Sequence, residues 1–137
     1  MLIFPQLQAD KMISHALSCL PNEACGLLAG VADGENKTVK NVYCLKNSDE
    51  SPEHFAMLPE EQFAAIADMR RQGTTLLGNF HSHPATPARP SKEDIRLAFD
   101  PSLSYVILSL AEKKLKFKSF IIKKADGSVI EEIIRLD

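Results

Sequence analysis

No excess of either charge runs through this chain: 16 basic residues stand against 18 acidic ones among 137, a formal net charge of −2. Binders of nucleic acid usually carry a basic patch or stripe, so this balance offers no electrostatic basis for a nucleic-acid partner and favours a folded protein or a small molecule. Cysteine is scarce as well. Cys19, Cys25 and Cys44 cannot all pair within one chain and none stands in a CxxC arrangement, which argues against a disulfide framework and for a reduced, cytoplasmic setting. No uninterrupted apolar stretch is long enough to cross a bilayer, and MLIFPQ reaches Pro5 without the basic flank or apolar run of a signal peptide, so no membrane partner is expected. Repeats, low-complexity tracts and a dividing linker are missing too. The chain therefore reads as one domain, residues 1–137, whose 45% hydrophobic content is enough to bury its own core.

What is present reads as an α+β unit. After a short apolar start at Leu2 to Phe4, Ala9, Ile13, Ala16, Leu17 and Leu20 recur at helical spacing until Pro21. Ala24 to Val31 and Thr38 to Leu45, separated by the turn residues ADGEN, read as paired strands. Pro59 opens a second helix, on which Phe63, Ile66, Ala67 and Arg70 share a face, and Gly73 ends it. TTLLGNFH, Thr74 to His81, reads as a strand buried on both faces, Leu76 and Phe80 on one side and Leu77 on the other. SKEDIRLAFD suggests a short helix with Ile95, Ala98 and Phe99 on one face, stopped by Pro101 and followed by three strands, SYVILSL, KLKFKSFIIK and VIEEIIRL. The sum is a mixed sheet of about seven or eight strands packed with two or three helices.

Chemistry concentrates in NFHSHPATPARPSKED, Asn79 to Asp94. On an extended chain His81 and His83 project to the same side while Ser82 faces away. Pro84, Pro87 and Pro90 fall at the period of a polyproline helix, giving a stiff loop that can return Asp94 to the histidines. Two imidazoles and a carboxylate form a nitrogen and oxygen set suited to zinc, one per chain, with the fourth tetrahedral position left for water. Such a water still needs a base. Glu23 stands immediately before the apolar run ACGLLAGV, so its carboxylate belongs at the mouth of the sheet, and a neighbouring strand ending in His81 would bring it to the site.

Taken together, Glu23, the HSHP of His81 to Pro84 and the SKED of Ser91 to Asp94 resemble the signature of the JAMM or MPN-plus (JAB-type) zinc metalloproteases, with ten residues between the second histidine and the aspartate. ACGLLAG after the glutamate, and the order of elements along nearly the whole chain, are similar to the small stand-alone prokaryotic members. The resemblance implies a single MPN domain in which His81, His83 and Asp94 bind zinc, Glu23 shuttles the proton and Ser91 helps to hold the tetrahedral oxyanion. It also implies a substrate: a ubiquitin-like or sulfur-carrier protein with a C-terminal Gly-Gly, cut at the peptide or isopeptide bond beyond the glycines. NSDESPEHF, Asn47 to Phe55, lies where larger relatives carry insertions that grip a second ubiquitin, and its shortness favours processing of a single carrier.

Plainer roles stand beside these. Ser91 followed three residues later by an acid is also how a helix begins, with the serine as N-cap, and the two roles are compatible. Cys25 reads as a core residue, because free cysteine is commonly buried and the ligand set is complete without it. His15 and His54 have no partner at a meaningful spacing and read as surface or boundary residues, and Lys114, Lys116 and Lys118 fit one solvated strand face. A non-catalytic scaffold of the same fold, a DNA-repair-associated relative with a similar HxHP motif and a zinc hydrolase of small amides are the competing functions.

Overall fold

A computed structural model describes residues 1–111 and 115–137. Eight strands form one sheet in the order β7-β6-β5-β4-β2-β3-β1-β8. They are β1 (Leu2–Phe4), β2 (Cys25–Asp33), β3 (Asn36–Leu45), β4 (Thr75–His83), β5 (Ser104–Ser109), β6 (Lys116–Lys123), β7 (Ser128–Glu132) and β8 (Ile134–Leu136), interleaved with α1 (Gln6–Cys19), α2 (Pro59–Gln72) and α3 (Lys92–Arg96). The sheet is mixed as expected: β2 pairs antiparallel with β3 and β4, while β4 and β5 run parallel. Among the described residues no helix is long and apolar enough to cross a membrane.

The two longer helices follow from their end signals, but the faces they bury differ from those the periodicity suggested. α1 starts after Pro5 and buries Ala9, Met12 and Ala16, leaving Leu17 and Leu20 nearly half exposed. α2 begins at Pro59, carries Glu60 and Glu61 in its first turn and Arg70 and Arg71 in its last, and stops at Gly73, whose φ of 71° suits a residue without a side chain. Its buried residues are Ala65 and Met69, whereas Phe63 is 72% exposed. Polar anchors explain the rotation. Glu61 Oε1 accepts from the Lys46 backbone N–H at 2.9 Å and Asp68 Oδ2 accepts from the Tyr43 hydroxyl at 2.6 Å, so that side of α2 must face β3 and Phe63 falls opposite.

Two irregularities shape the sheet. Leu28 pairs with Gly78 but Ala29 pairs with Leu76, so Leu77 is the extra residue of a bulge. The alternation is reset there, and Leu77 joins Phe80 in the cluster containing Ala9 and Met12, while Leu76 packs beside Ala65 and Met69. β4 is buried on both faces as expected, but with Leu76 and Leu77 exchanged relative to Phe80. Second, VIEEIIRL is two strands rather than one. The chain breaks at exposed Ile133, so β7 completes one edge of the sheet and β8 the other, and the sheet curls until its two edges meet at that residue. Glu132 Oε1 accepts from the Ser104 and Ser119 hydroxyls at 2.7 and 2.8 Å, and Ile133 O accepts from Leu2 N–H at 2.8 Å, so closure is held by bonds to three other strands.

α3 is shorter than SKEDIRLAFD suggested. Ala98 is buried and Ile95 half-buried, but Phe99 is 77% exposed, with the Lys124 ammonium 4.5 Å above its ring. On β6, Lys116 and Lys118 are exposed as expected; Lys114 lies outside the described residues.

Gly78 sits where β4 leaves the bulge and meets β5, and a Cβ there would lie 1.9 Å from the Ser104 carbonyl oxygen. Gly78→Ala must push the parallel pair apart, and we expect a loss of about 2–4 kcal/mol in unfolding free energy. A thermal melt within a degree of the wild type would contradict this packing.

Candidate metal centre

The end of β4 carries the histidines. With the bulge behind them, His81 and His83 project away from the cluster that holds Phe80, and their Nε2 atoms stand 3.1 Å apart. Asp94 reaches the same point from α3, its Oδ2 lying 3.2 Å from His81 Nε2 and 3.1 Å from His83 Nε2. All three residues are buried or nearly so, and they are the group among the described residues whose ligand atoms converge closely enough to hold a metal ion.

Local chemistry fixes each of the three. Ser91 caps α3: its Oγ accepts from Asp94 N–H at 3.0 Å, and Asp94 Oδ2 accepts from Ser91 N–H at 2.9 Å, a capping box that aims the carboxylate. The loop before it bends instead of running as a polyproline helix: Arg89 N–H donates to Pro87 O at 2.9 Å, an internal bond that a polyproline helix lacks. Ser109 Oγ donates to Thr86 O at 2.7 Å, and His83 Nδ1 donates to Pro87 O at 2.9 Å. That last bond makes Nδ1 a protonated nitrogen and turns Nε2 toward the point that His81 and Asp94 share.

The donor set fits a metal. Tetrahedral zinc with bonds of about 2.0–2.1 Å spaces its ligand atoms by roughly 3.4 Å, close to the triangle found here. Burial acts to raise the Asp94 pKa but is outweighed by hydrogen bonds from both imidazoles, which hold the carboxyl well below the usual range. Burial keeps His81 below its ordinary pKa. At His83 burial is outweighed by the bonds to Asp94 and the Pro87 carbonyl, so the pKa rises. Three acceptor atoms this close need positive charge between them, which a proton or a metal cation supplies.

Glu23 lies where the strand order required. β2 is the neighbour of β4, Cys25 pairs with His81, and continuing that register places Glu23 beside His83. The side chain is buried and its Oε1 has no hydrogen-bond partner. Desolvation pushes its pKa up to about 7, with the charge of His83 opposing and that of Asp94 adding to the rise. A carboxylate at that value can both take and return a proton near neutrality.

Two neighbours were not legible from spacing. Ser82 does face away from the histidines, and there its Oγ accepts from Ala24 N–H at 2.7 Å while its own N–H donates to Ala24 O at 3.0 Å. This clamp ties the residue after Glu23 to the residue between the two histidines. Phe55, from the polar segment before α2, stacks on His81 with ring centroids 4.7 Å apart and planes at 26°. Beside His81 and Asp94, a small cavity is walled by Phe55, Leu97, Tyr105, Ile107 and Ile122.

The other candidates take ordinary roles. Cys25 is fully buried and its thiol is pushed up to about 12 by burial, which leaves it inert. His15 is half-buried, 3.2 Å from Leu45 O and edge-on to Phe80. His54 is exposed but not unpartnered, since its Nδ1 lies 2.9 Å from Asp49 Oδ2.

A mixed sheet with two histidines at a strand end, an aspartate on the next helix and a glutamate at the mouth of the adjacent strand defines a JAB/MPN-type peptidase domain. Residues 5–121 match the family described as prokaryotic homologs of the JAB domain, and the chain belongs to that family. It is similar to the CysO-cysteine peptidase of Mycobacterium tuberculosis, 32% identical over 128 residues that cover 93% of this chain and 85% of the relative. A desampylase of Haloferax volcanii is 31% identical over 105 residues, covering 73% of this chain and 74% of its own. The solution structure of a Desulfitobacterium hafniense protein is similar at 60% identity with a TM-score of 0.92, covering 100% of this chain and 93% of that one. A JAB1/MPN domain protein from Archaeoglobus fulgidus shares the fold at a TM-score of 0.61 and 20% identity, covering 99% and 98% of the two chains. With named relatives that are peptidases, the chain is a hydrolase of this class.

Glu23 also makes a stability prediction for the metal-free protein. Its folded pKa, about 7, lies above the value of 4.5 it has in an unfolded chain, so below pH 4.5 it is neutral in both states and costs nothing by this route. Between those values the unfolded chain ionises first, and the folded state loses stability that is fully lost above pH 7. Glu23→Gln removes this cost, and we expect the metal-free variant to gain roughly 1–2 kcal/mol at pH 8 and little at pH 4. Melting curves at the two pH values check it; an equal shift at both would contradict it.

Proposed function

We propose that the chain, acting as one catalytic domain over residues 1–137 in the cytoplasm, is a zinc-dependent peptidase that cuts after the C-terminal Gly-Gly of a ubiquitin-like or sulfur-carrier protein. The observation that carries the catalytic part is the buried Glu23 carboxylate, with one oxygen unpartnered, set beside a convergent His81, His83 and Asp94. His81, His83 and Asp94 would hold one zinc ion. Bound there, the metal supplies Lewis-acid polarisation of the scissile carbonyl and lowers the pKa of water toward neutrality.

This chain's own residues do the rest. Glu23, buried beside His83 with one oxygen unpartnered, takes the proton from the attacking water and returns it to the departing amine. Ser91 Oγ accepts from Asp94 N–H and so keeps its own proton to donate, which lets one residue cap α3 and hydrogen-bond the oxyanion. Phe55 covers His81 and keeps water from its ring face.

The substrate class rests on the relatives' names and on access. A folded body cannot enter a site at strand ends, whereas two glycines without Cβ atoms let a tail lie close to the backbone. The relatives' names, a CysO-cysteine peptidase and a desampylase, support a carrier protein or its conjugate as the substrate. Free Cys19, Cys25 and Cys44 accord with a reducing compartment.

Zinc-loaded protein incubated with a Gly-Gly carrier bearing a C-terminal extension should release the extension, read by mass spectrometry, and chelation should stop the cut. Glu23→Gln should slow it by about 10²–10⁴-fold without loss of metal. No cleavage of any such carrier would overturn the substrate class, and near-native turnover by Glu23→Gln would overturn the base.

A further inference from the structure

The polar segment between β3 and α2 is organised around one buried amide. Asn47 is 7% exposed, and both ends of its side chain are used. Nδ2 donates to Glu23 O at 3.0 Å and His54 O at 3.1 Å, with Ser51 O at 3.4 Å, while Oδ1 accepts from Asp49 N–H at 3.0 Å and Ala56 N–H at 3.2 Å. Backbone bonds lock the same fold: Asn47 bridges to Met57, and Ser48 N–H donates to Ala56 O at 2.9 Å. An asparagine is needed for this pattern, since only an amide offers two protons and a carbonyl on so short a stem.

The consequence falls on both sides of the metal-ligand set. Glu23 lies just before β2, where the sheet's ladder no longer holds it, and the segment replaces the ladder: Glu23 N–H donates to Ser51 O at 2.8 Å and Glu23 O accepts from Asn47. Ala56, held by Asn47 Oδ1, is the neighbour of Phe55, whose ring lies over His81. One side chain therefore spans the main chain of the base and the wall over a ligand.

We propose that Asn47 is a positioning residue, which fixes the Glu23 carboxylate and the Phe55 ring relative to His81, His83 and Asp94, so that residues 47–57 are a built part of the site. This rests on Glu23 being the general base. Small displacements matter in such a site, where a misplacement of about 1 Å can cost on the order of 10²-fold in rate.

The test separates positioning from mere stability. Asn47→Asp keeps the acceptor oxygen but loses the donated bonds to Glu23 and His54, and Asn47→Ala loses both. In the zinc-loaded enzyme each should lower kcat by about 10–100-fold with KM and zinc content near native. On a Glu23→Gln background the same change should add less than about 3-fold, because two residues acting through one group are non-additive. Amide hydrogen exchange in the metal-free protein gives a readout apart from activity: Ala56 N–H, whose acceptor is Asn47 Oδ1, should lose protection in Asn47→Ala and keep it in Asn47→Asp. Equal rate losses in both backgrounds, or kcat within about 2-fold of native in a folded Asn47→Asp, would overturn the inference. Near-native turnover by Glu23→Gln alone would remove the base and this inference with it, a result distinct from a fully active Asn47→Asp beside an inactive Glu23→Gln.

Discussion

Two imidazole nitrogens and a carboxylate oxygen held within 3.1–3.2 Å of one another, largely out of water, form an arrangement that repels itself unless a cation or a proton sits among them. Much of the rest of the fold holds that triangle closed. β4 supplies two corners by strand alternation, and the capping box of α3 supplies the third. The loop between them is tied down through Thr86 O and Pro87 O. Glu23 adds a second unfavourable placement beside the first, a buried carboxylate with an oxygen left unpaired. Such costs cluster where chemistry is done, and the remainder of the sheet offsets them through ordinary burial.

The sheet's irregularities serve the same end. The bulge at Leu77 turns the second half of β4 so that Phe80 anchors in the α1 side of the core while Asn79, His81 and His83 line the opposite face. Ser82, on the anchored face, reaches across to Ala24, so the clamp between β2 and β4 lies directly behind the histidines. Curling of the sheet through Glu132 and Ile133 leaves neither terminal strand as a long free edge and brings β5 and β6 behind His81, where Ile107 and Ile122 back the cavity.

How much of this could be read from residues alone depended on range. The HxH pair, the aspartate at the head of a helix and the charged residue before an apolar strand are local patterns, because strand alternation and helix capping act over a few positions. The convergence of His81, His83 and Asp94 and the strand count were legible for that reason. Asn47, Ser82 and Phe55 were not, since the partners that give them meaning lie 24, 58 and 26 residues away in Glu23, Ala24 and His81. The inner face of α2 was misread because Glu61 and Asp68, not its apolar residues, choose its orientation. The break at Ile133 was missed because VIEEIIRL is uniformly strand-forming, and only closure of the sheet decides where it divides.

We propose zinc as the occupant of the triangle formed by His81, His83 and Asp94, and metal analysis joined to zinc-edge X-ray absorption reads that occupant. Protein expressed with ample zinc should hold about one ion per chain, with two imidazole nitrogens and a carboxylate oxygen at about 2.0–2.1 Å, and His83→Ala and Asp94→Ala should each lose it. Wild-type protein that takes up no zinc, or variants that keep a full complement with unchanged ligand distances, would contradict the account.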